Sequence, residues 1–200
     1  MIGTRSRQRG SRGRGQTALM RLAVAALLAA TTLPLFEGVA SSAVPALFFD
    51  MVVDEARGKI YGSERGAGVV HVIDMGTLES LGSVDFAGAS KPSGLDMSPD
   101  GSELAVALFG PGQVAFIDLE TLTVTATPSP DVNNGPNRPF DVLYGREGRL
   151  YSVGNPGSGG LDYVHVFDTV THTEIGRSTE VMRSAPRLAM TSDKNTLYVG

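Results

Sequence analysis

Three histidines are the first candidates for metal or acid–base chemistry in this 200-residue chain: His71, His165 and His172. His71 and His165 hold matching places in VHVID and VHVFD, so we expect surface or inter-sheet side chains on separate strands. His172 is predicted to lie in a turn without a companion. The sequence has no cysteine, no HExxH motif and no recognisable Ser–His–Asp arrangement. We therefore predict no catalytic, metal-binding or cofactor-binding residues.

Two loop-like stretches carry weaker hints of ligand binding. DVNNG (131–135) resembles half of a calcium loop but lacks the alternating ligands and the distal glutamate. NPGSGG (155–160) is rich in glycine, but it lacks the lysine and the following helix of a phosphate-binding loop. Both stretches are predicted to be connecting loops.

A third set of polar residues repeats along the chain. VHVID, VAFID and VHVFD begin 44 and then 50 residues apart and end in Asp74, Asp118 and Asp168. A threonine follows each aspartate three residues later. A carboxylate at a strand end can accept hydrogen bonds from backbone N–H groups two or three residues on, and the threonine hydroxyl can join them. Because a turn is needed in every repeat, we predict structural turns at these aspartates rather than catalysis.

The elements around these aspartates repeat as well. Pro92, Pro139 and Pro186 are spaced by 47 residues, and turn-rich stretches lead into short apolar runs. A period of 40–50 residues with four strand signals per unit is typical of β-propeller blades. In the second unit the predicted strands are 94–98, 103–109, 113–118 and 123–127. The region after the first 43 residues is therefore predicted to be all-β.

The repeat also resembles a known family. SPDGSELAVALF followed by QVAFIDLETLTV resembles the YVTN-type β-propeller repeat, and LYSVG, LYVG, VHVID and VHVFD match its tyrosine and aspartate strands. The second unit departs by Ala105 in place of the tyrosine, and the third by GREG in place of SPDG. The resemblance covers about residues 47–200. It implies a propeller fold, and its relatives include surface-layer, periplasmic and lactonase-like proteins and propeller domains of metalloenzymes.

Three full units and part of a fourth are predicted. Their approximate bounds are 47–89, 90–136, 137–184 and 185–200. Propellers usually close with four to eight blades, and an open ring leaves an unpaired sheet edge. We therefore expect the N-terminal part of a longer propeller, with missing C-terminal sequence supplying the remaining blades. A small propeller completed by self-association is the alternative.

The first 43 residues are predicted to be a secretory signal peptide. Six arginines without an acid precede the uncharged run LAVAALLAATTLPLF and the small residues of EGVASSA. The apolar run is short for a membrane span, and Pro34 interrupts it. An uncleaved signal anchor and a basic nucleic-acid-binding tail are the alternatives. We expect an exported protein, secreted or at the cell surface or periplasm, with no membrane span in the mature chain.

The charge of the chain beyond residue 21 argues against nucleic acid as a partner. This part contains 11 basic and 21 acidic residues, and a net charge of −10 repels phosphate backbones. On a propeller, one face carries the loops between second and third strands and those between successive blades. Long loops on a rigid scaffold favour recognition, and two long loops on this face flank one blade, 128–139 and 155–161. The predicted binding residues are Asn133, Asn137, Arg138 and Asn155 in these two loops and Arg183 near the same rim, where Arg65 and Lys91 are also predicted to lie.

Two functions remain open from the sequence. The first is a non-catalytic, exported scaffold whose loop face binds a protein or a cell-surface polymer. The second, implied by the family resemblance, is a lactonase-like or quinone-dependent enzyme whose site lies mostly in blades beyond residue 200. A third interpretation makes the chain the propeller portion of a multidomain exported protein.

Overall fold

A computed structural model of the chain describes residues 47–130, 138–154, 162–179 and 186–200. The predicted leader lies outside these ranges. Within these ranges, the regular secondary structure consists of β-strands. The described residues contain no helix that could span a membrane.

The described residues form fourteen strands along the chain. They are β1 (Asp50–Asp54), β2 (Lys59–Glu64), β3 (Val69–Asp74), β4 (Ser80–Asp85), β5 (Pro92–Met97), β6 (Glu103–Leu108), β7 (Gln113–Asp118), β8 (Thr123–Ala126), β9 (Pro139–Tyr144), β10 (Arg149–Gly154), β11 (His165–Asp168), β12 (Thr173–Arg177), β13 (Leu188–Met190) and β14 (Leu197–Val199).

Consecutive strands pair in sequence order to form separate sheets. β1–β4, β5–β8 and β9–β12 are three four-stranded antiparallel sheets, and β13 and β14 pair as a two-stranded sheet. The prediction of an all-β protein built from four-stranded antiparallel blades is confirmed. We call these the first, second, third and fourth sheets, and "innermost" denotes the first strand of each.

Local turn chemistry explains the strand bounds in the second sheet. Predicted strands 103–109 and 113–118 are observed as β6 and β7, within one residue. Pro99 and Gly101 lie in the turn before β6, where Gly101 has a φ of +72°, a region that glycine adopts without steric cost. Gly112 turns the chain again before β7 with a φ of +73°.

The second sheet is buried on both faces. In β6, Leu104 and Val106 pack toward the first sheet, whereas Ala105 and Ala107 pack toward the third. Side chains alternate along a strand, so one apolar strand supplies both interfaces. Phe116 of β7 lies in the interface with the third sheet and is fully buried. Burying a side chain of this size stabilises the fold by about 1.5–3 kcal/mol.

Candidate functional site

One end of the sheets brings together arginines and phenylalanines from different sheets. We call this set the arginine–phenylalanine cluster, and its members are Phe49, Arg65, Phe109, Arg138, Phe140 and Arg187. Antiparallel pairing explains why distant residues meet, because an innermost strand begins where its neighbour ends. Phe49 thus precedes β1 beside the end of β2, and its N–H donates to the Ser63 carbonyl at 2.8 Å.

The guanidinium groups of the cluster stack on aromatic rings. The Arg65 guanidinium carbon lies 4.8 Å from the Phe49 ring centroid and 4.7 Å from that of Phe109. Arg187 lies 4.8 Å from Phe49 and 5.3 Å from Phe140. Such cation–π contacts are favourable and hold the planar group in a fixed orientation. A cation–π contact uses none of the guanidinium N–H groups as hydrogen-bond donors to an oxygen, so these groups can still pair with a ligand.

The rings also contact one another. Phe49 and Phe140 meet edge to face with centroids 5.1 Å apart, and Phe109 and Phe140 do so at 6.4 Å. Arg138 extends the cluster, with its guanidinium carbon 5.4 Å from the Phe109 centroid. All three rings are partly exposed. The cluster therefore presents cationic groups beside accessible apolar surface.

The cluster carries an excess of positive charge. Arg187 lies 3.6 Å from an Asp50 oxygen and 3.7 Å from an Asp141 oxygen. Among the described residues, no carboxylate lies within 4 Å of Arg65 or Arg138. Burial and the nearby Arg187 charge lower the pKa of Arg65, although a guanidinium stays charged in proteins. An anion at this position would thus meet two cations that pair with no carboxylate of the described ranges.

Carboxylates beneath the cluster link the innermost strands. Asp50 accepts a hydrogen bond from the Leu95 N–H at 3.2 Å, and Asp141 accepts one from the Leu188 N–H at 2.8 Å. In each pair the carboxylate and the N–H belong to successive sheets. A charged acceptor therefore satisfies backbone donors at the inner edges of the second and fourth sheets.

A cavity of about 240 Å³ lies among these innermost strands, and Asp50, Asp96, Asp141 and Arg187 contribute to its lining. Burial raises the pKa of Asp141 to about 6, and the Asp50 charge adds to this effect. The Leu188 and Val142 N–H groups and Arg187 act in the opposite direction. Asp141 is thus a partly protonated carboxyl group at mildly acidic pH.

A glycine allows this close approach of the second and third sheets. A Cβ atom at Gly94 would lie 2.7 Å from the Asp141 Cα atom, a distance that real Cβ contacts do not show. Gly94 occupies the position on β5 that Asp50 occupies on β1 and Asp141 on β9. The absence of a side chain there leaves room for the Asp141 carboxylate.

Of the predicted binding residues, the structure describes Arg138, which belongs to the cluster. The other four lie outside the described residues: Asn133, Asn137, Asn155 and Arg183. Arg65 also joins the cluster, whereas Lys91 is exposed outside it and its carbonyl accepts a bond from the Phe109 N–H. Sequence reasoning missed the other four members of the cluster, Phe49, Phe109, Phe140 and Arg187. Two of them, Phe140 and Arg187, directly follow recurring prolines.

One histidine prediction needs a correction. His172 has companions, because its Nε2 lies 2.8 Å from a Glu103 oxygen and its ring stacks on Phe116. For His165 the prediction allowed a surface or an inter-sheet position, and the side chain is buried, with hydrogen-bonding contacts to Asp162 and Glu174. The error at His172 arises because Glu103 comes from another sheet. Within the described ranges, no group of three His, Asp or Glu side chains has an arrangement that could hold a metal ion.

The repeated aspartates lie at the opposite end of the sheets. The Oδ1 atom of Asp74 accepts from the N–H groups of Gly76 and Thr77 and from the Thr77 hydroxyl, at 2.8–3.1 Å. Asp118 and Asp168 have the same three kinds of donor. These hydrogen bonds, led by the backbone bond of the threonine, lower the pKa of all three carboxyls. The carboxylates therefore act as local turn acceptors.

Comparisons with known proteins bear on the fold. No protein-family model matches the chain, and no curated protein matches it. The hydrazine synthase of Kuenenia stuttgartiensis aligns with a TM-score of 0.64 and 18% identity, over 75% of this chain and 42% of that one. A 6-phosphogluconolactonase candidate from Bacteroides uniformis aligns with a TM-score of 0.62 and 15% identity, over 76% of this chain and 46% of that one. A second candidate, from Bacteroides fragilis, aligns with a TM-score of 0.60 and 14% identity, over 74% of this chain and 46% of that one.

These neighbours are β-propellers, and the likeness establishes the propeller fold for this chain. At 14–18% identity it shows nothing about activity. The chain spans less than half the length of each of these solved structures.

Proposed function

We propose that the chain is an exported, non-catalytic propeller scaffold of the YVTN-repeat type that binds an anionic partner through the arginine–phenylalanine cluster. The observation that carries this proposal is that the Arg65 guanidinium lies over the Phe49 and Phe109 rings while no carboxylate of the described residues pairs with it. The leader-like residues 1–43 support export, and residues 44–200 form the propeller portion.

The geometry of the cluster defines the chemistry of the partner. In-plane guanidinium N–H groups pair with the two oxygens of a carboxylate or phosphate. The partly exposed rings beside them add apolar contact area. A protein or cell-surface polymer with closely spaced acidic groups fits this surface, because each arginine can pair with a separate anion. The −10 charge of the chain beyond residue 21 makes such binding depend on the local arginines rather than on overall attraction.

Capture from cell-surface fractions tests the proposal. The full chain, immobilised, should retain an acidic polymer or protein at micromolar concentration and release it as salt rises, because the contacts are ionic. Arg65→Ala combined with Arg138→Ala should abolish retention. Arg177→Ala is the matched control, since Arg177 stacks on Tyr163 outside the cluster. Failure to retain any anionic partner would overturn the proposal.

A lactonase-like activity is the second candidate, favoured by one specific observation. Asp141, whose burial raises its pKa to about 6, shares the inner cavity with Arg187. A carboxylate with a pKa near neutrality can act as a general base toward water, and an arginine can stabilise a developing oxyanion. The lactonase candidates among the structural neighbours are compatible with this chemistry.

Lactone hydrolysis by the full chain and by Asp141→Asn distinguishes the two functions. The scaffold proposal predicts no hydrolysis above the uncatalysed rate with either protein. Hydrolysis that disappears in Asp141→Asn would establish the enzyme instead.

A further inference from the structure

A groove of about 690 Å³ crosses the end of the sheets opposite the arginine–phenylalanine cluster. We call it the turn-end groove, because turns of the second, third and fourth sheets line it. The lining residues that matter here are Ser102, Glu103, Arg146, Arg149, Val170 and Lys194. Its volume lies within the range of small-molecule sites, about 300–1,000 Å³.

A hydrogen-bonded network forms one wall of the groove. The Tyr144 hydroxyl donates to one oxygen of Glu103 at 2.7 Å, and His172 Nε2 lies 2.8 Å from the other oxygen. The His172 ring stacks on Phe116 with centroids 4.2 Å apart. Tyr144 is buried, so this network is held by the packing between the second and third sheets.

The preceding junction, between the first and second sheets, has different residues at the matching positions. Lys59 takes the place of Glu103, because in the strand register Lys59 lies opposite Asp74 and Glu103 lies opposite Asp118. Met97 takes the place of Tyr144 at the end of the innermost strand, and Leu122 takes the place of His172.

The turn geometry supports this correspondence, since Leu122 and His172 have φ angles of +55° and +52° at the same point after the aspartate. Met97 and Leu122 pack against the apolar cluster between the first and second sheets. The fold thus joins the first two sheets by apolar contacts at these positions, and a polar link at that junction is the Arg57 guanidinium, which donates to the Gly101 carbonyl at 2.7 Å. The Tyr144–Glu103–His172 network differs from that link because it holds a carboxylate in the lining of a groove.

The charges of the groove favour a neutral ligand. Its lining contains three acidic and three basic side chains: Asp100, Glu103, Glu147, Arg146, Arg149 and Lys194. Two of the acids already accept hydrogen bonds within the protein. Glu103 does so in the network, and Asp100 accepts from the Ser98 and Ser102 hydroxyls. A ligand in the groove thus meets donors and acceptors side by side without a dominant charge.

We propose that the turn-end groove binds a neutral oligosaccharide of two or three sugar units. Vicinal hydroxyls donate to the carboxylates and accept from the arginines and the lysine. Apolar C–H faces of the sugar rings pack on Pro99 and on Val170, a residue that is 84% exposed. The site is separate from the arginine–phenylalanine cluster, and binding there does not depend on an anionic partner.

Calorimetric titration of the full chain with cellotriose, maltotriose and the trimer of N-acetylglucosamine tests the proposal. At least one trisaccharide should bind. Tyr144→Phe combined with His172→Leu should weaken that binding at least tenfold, because Glu103 loses both partners that orient it. The double variant should fold, since leucine occupies the matching turn position at Leu122 and phenylalanine keeps the packing of Tyr144.

Arg149→Ala is a second, independent variant on the exposed side of the groove, and it should also weaken binding. Lys91→Ala, an exposed cation away from the groove, should leave binding unchanged. The proposal is overturned if none of the three trisaccharides binds at millimolar concentration, or if binding is unaffected by both groove variants. Binding of the zwitterion glycine betaine in place of the sugars would also overturn it. Loss of anion binding at the arginine–phenylalanine cluster would leave these results unchanged.

Discussion

The repeated turns and the arginine–phenylalanine cluster differ in how closely they follow the repeat. In the turns, Asp74, Asp118 and Asp168 accept the same three kinds of hydrogen bond in three successive sheets. Beside the cluster, the matching positions on successive innermost strands hold Asp50, Gly94 and Asp141, so the second sheet departs from the other two. Every sheet needs its turn, whereas a ligand site needs particular side chains once. The difference shows that repeated positions build the fold and that departures from the repeat mark candidate sites.

The largest expected effect compares a core phenylalanine with one of the arginine–phenylalanine cluster. Phe116→Ala removes a fully buried ring between the second and third sheets and should destabilise the protein by about 3–5 kcal/mol. Phe109→Ala removes a partly exposed ring and should cost less than about 2 kcal/mol. Urea unfolding of the two variants measures both losses. Equal losses would mean that the cluster is part of the core rather than a binding surface.

The second effect is a pH dependence of the unfolding free energy, caused by Asp141. Its pKa is raised from 3.8 to about 6, so the folded state binds this proton more tightly than the unfolded state does. Its contribution to stability is therefore present below about pH 4 and is lost as the pH rises through about 6, on the order of 3 kcal/mol in total. The difference in unfolding free energy between the natural chain and Asp141→Asn, measured from pH 4 to 7, gives this loss.

Asp141→Asn retains an oxygen that can accept from the Leu188 N–H, so it isolates the charge. His165 should add a second loss of stability with rising pH, at a higher pH than the loss caused by Asp141. Burial lowers its pKa, but hydrogen bonds to Asp162 and Glu174 outweigh this and leave the pKa above 6.5. That second loss should persist in Asp141→Asn. A pH-independent difference between the two proteins from pH 4 to 7 would contradict the assignment to Asp141.

The smallest expected effect concerns the repeated turns. Asp74→Ala, Asp118→Ala and Asp168→Ala should each lower the Tm, by amounts similar to one another and smaller than that of Phe116→Ala. The three carboxylates are exposed acceptors with the same kinds of donor, so no sheet should respond differently. Scanning calorimetry of the three variants, with the three asparagine variants as controls, measures this. A single turn with a much larger effect would show that its aspartate has an additional role.

Sequence reasoning succeeded where the determining residues are local. Gly101, Gly112 and the short apolar runs beside them predict β6 and β7 almost to the residue, because a turn and its flanking strands depend on adjacent positions. The arginine–phenylalanine cluster could not be predicted in the same way. Phe49 and Arg187 meet across 138 positions of the chain, and their contact depends on how four sheets pack side by side.

The same reasoning explains the error at His172. The turn itself was predicted, but Glu103 is 69 residues away and belongs to the preceding sheet. Comparison with the matching position, Leu122, offers a signal within the sequence, since a histidine replaces an apolar residue at one repeat. Such departures are visible in a sequence once the repeat is aligned, although their partners are not.

Binding of polygalacturonate, a polymer with one carboxylate on each sugar unit, tests the central claim most directly. Its affinity for the full chain is measured as a function of salt concentration, alongside the Arg65→Ala/Arg138→Ala double variant and Arg177→Ala. We predict binding that weakens steeply with salt for the natural chain and for Arg177→Ala, and a loss of at least tenfold for the double variant. Equal affinity of all three proteins, or no binding to the natural chain at low salt, would contradict the assignment of this cluster as an anion-binding site.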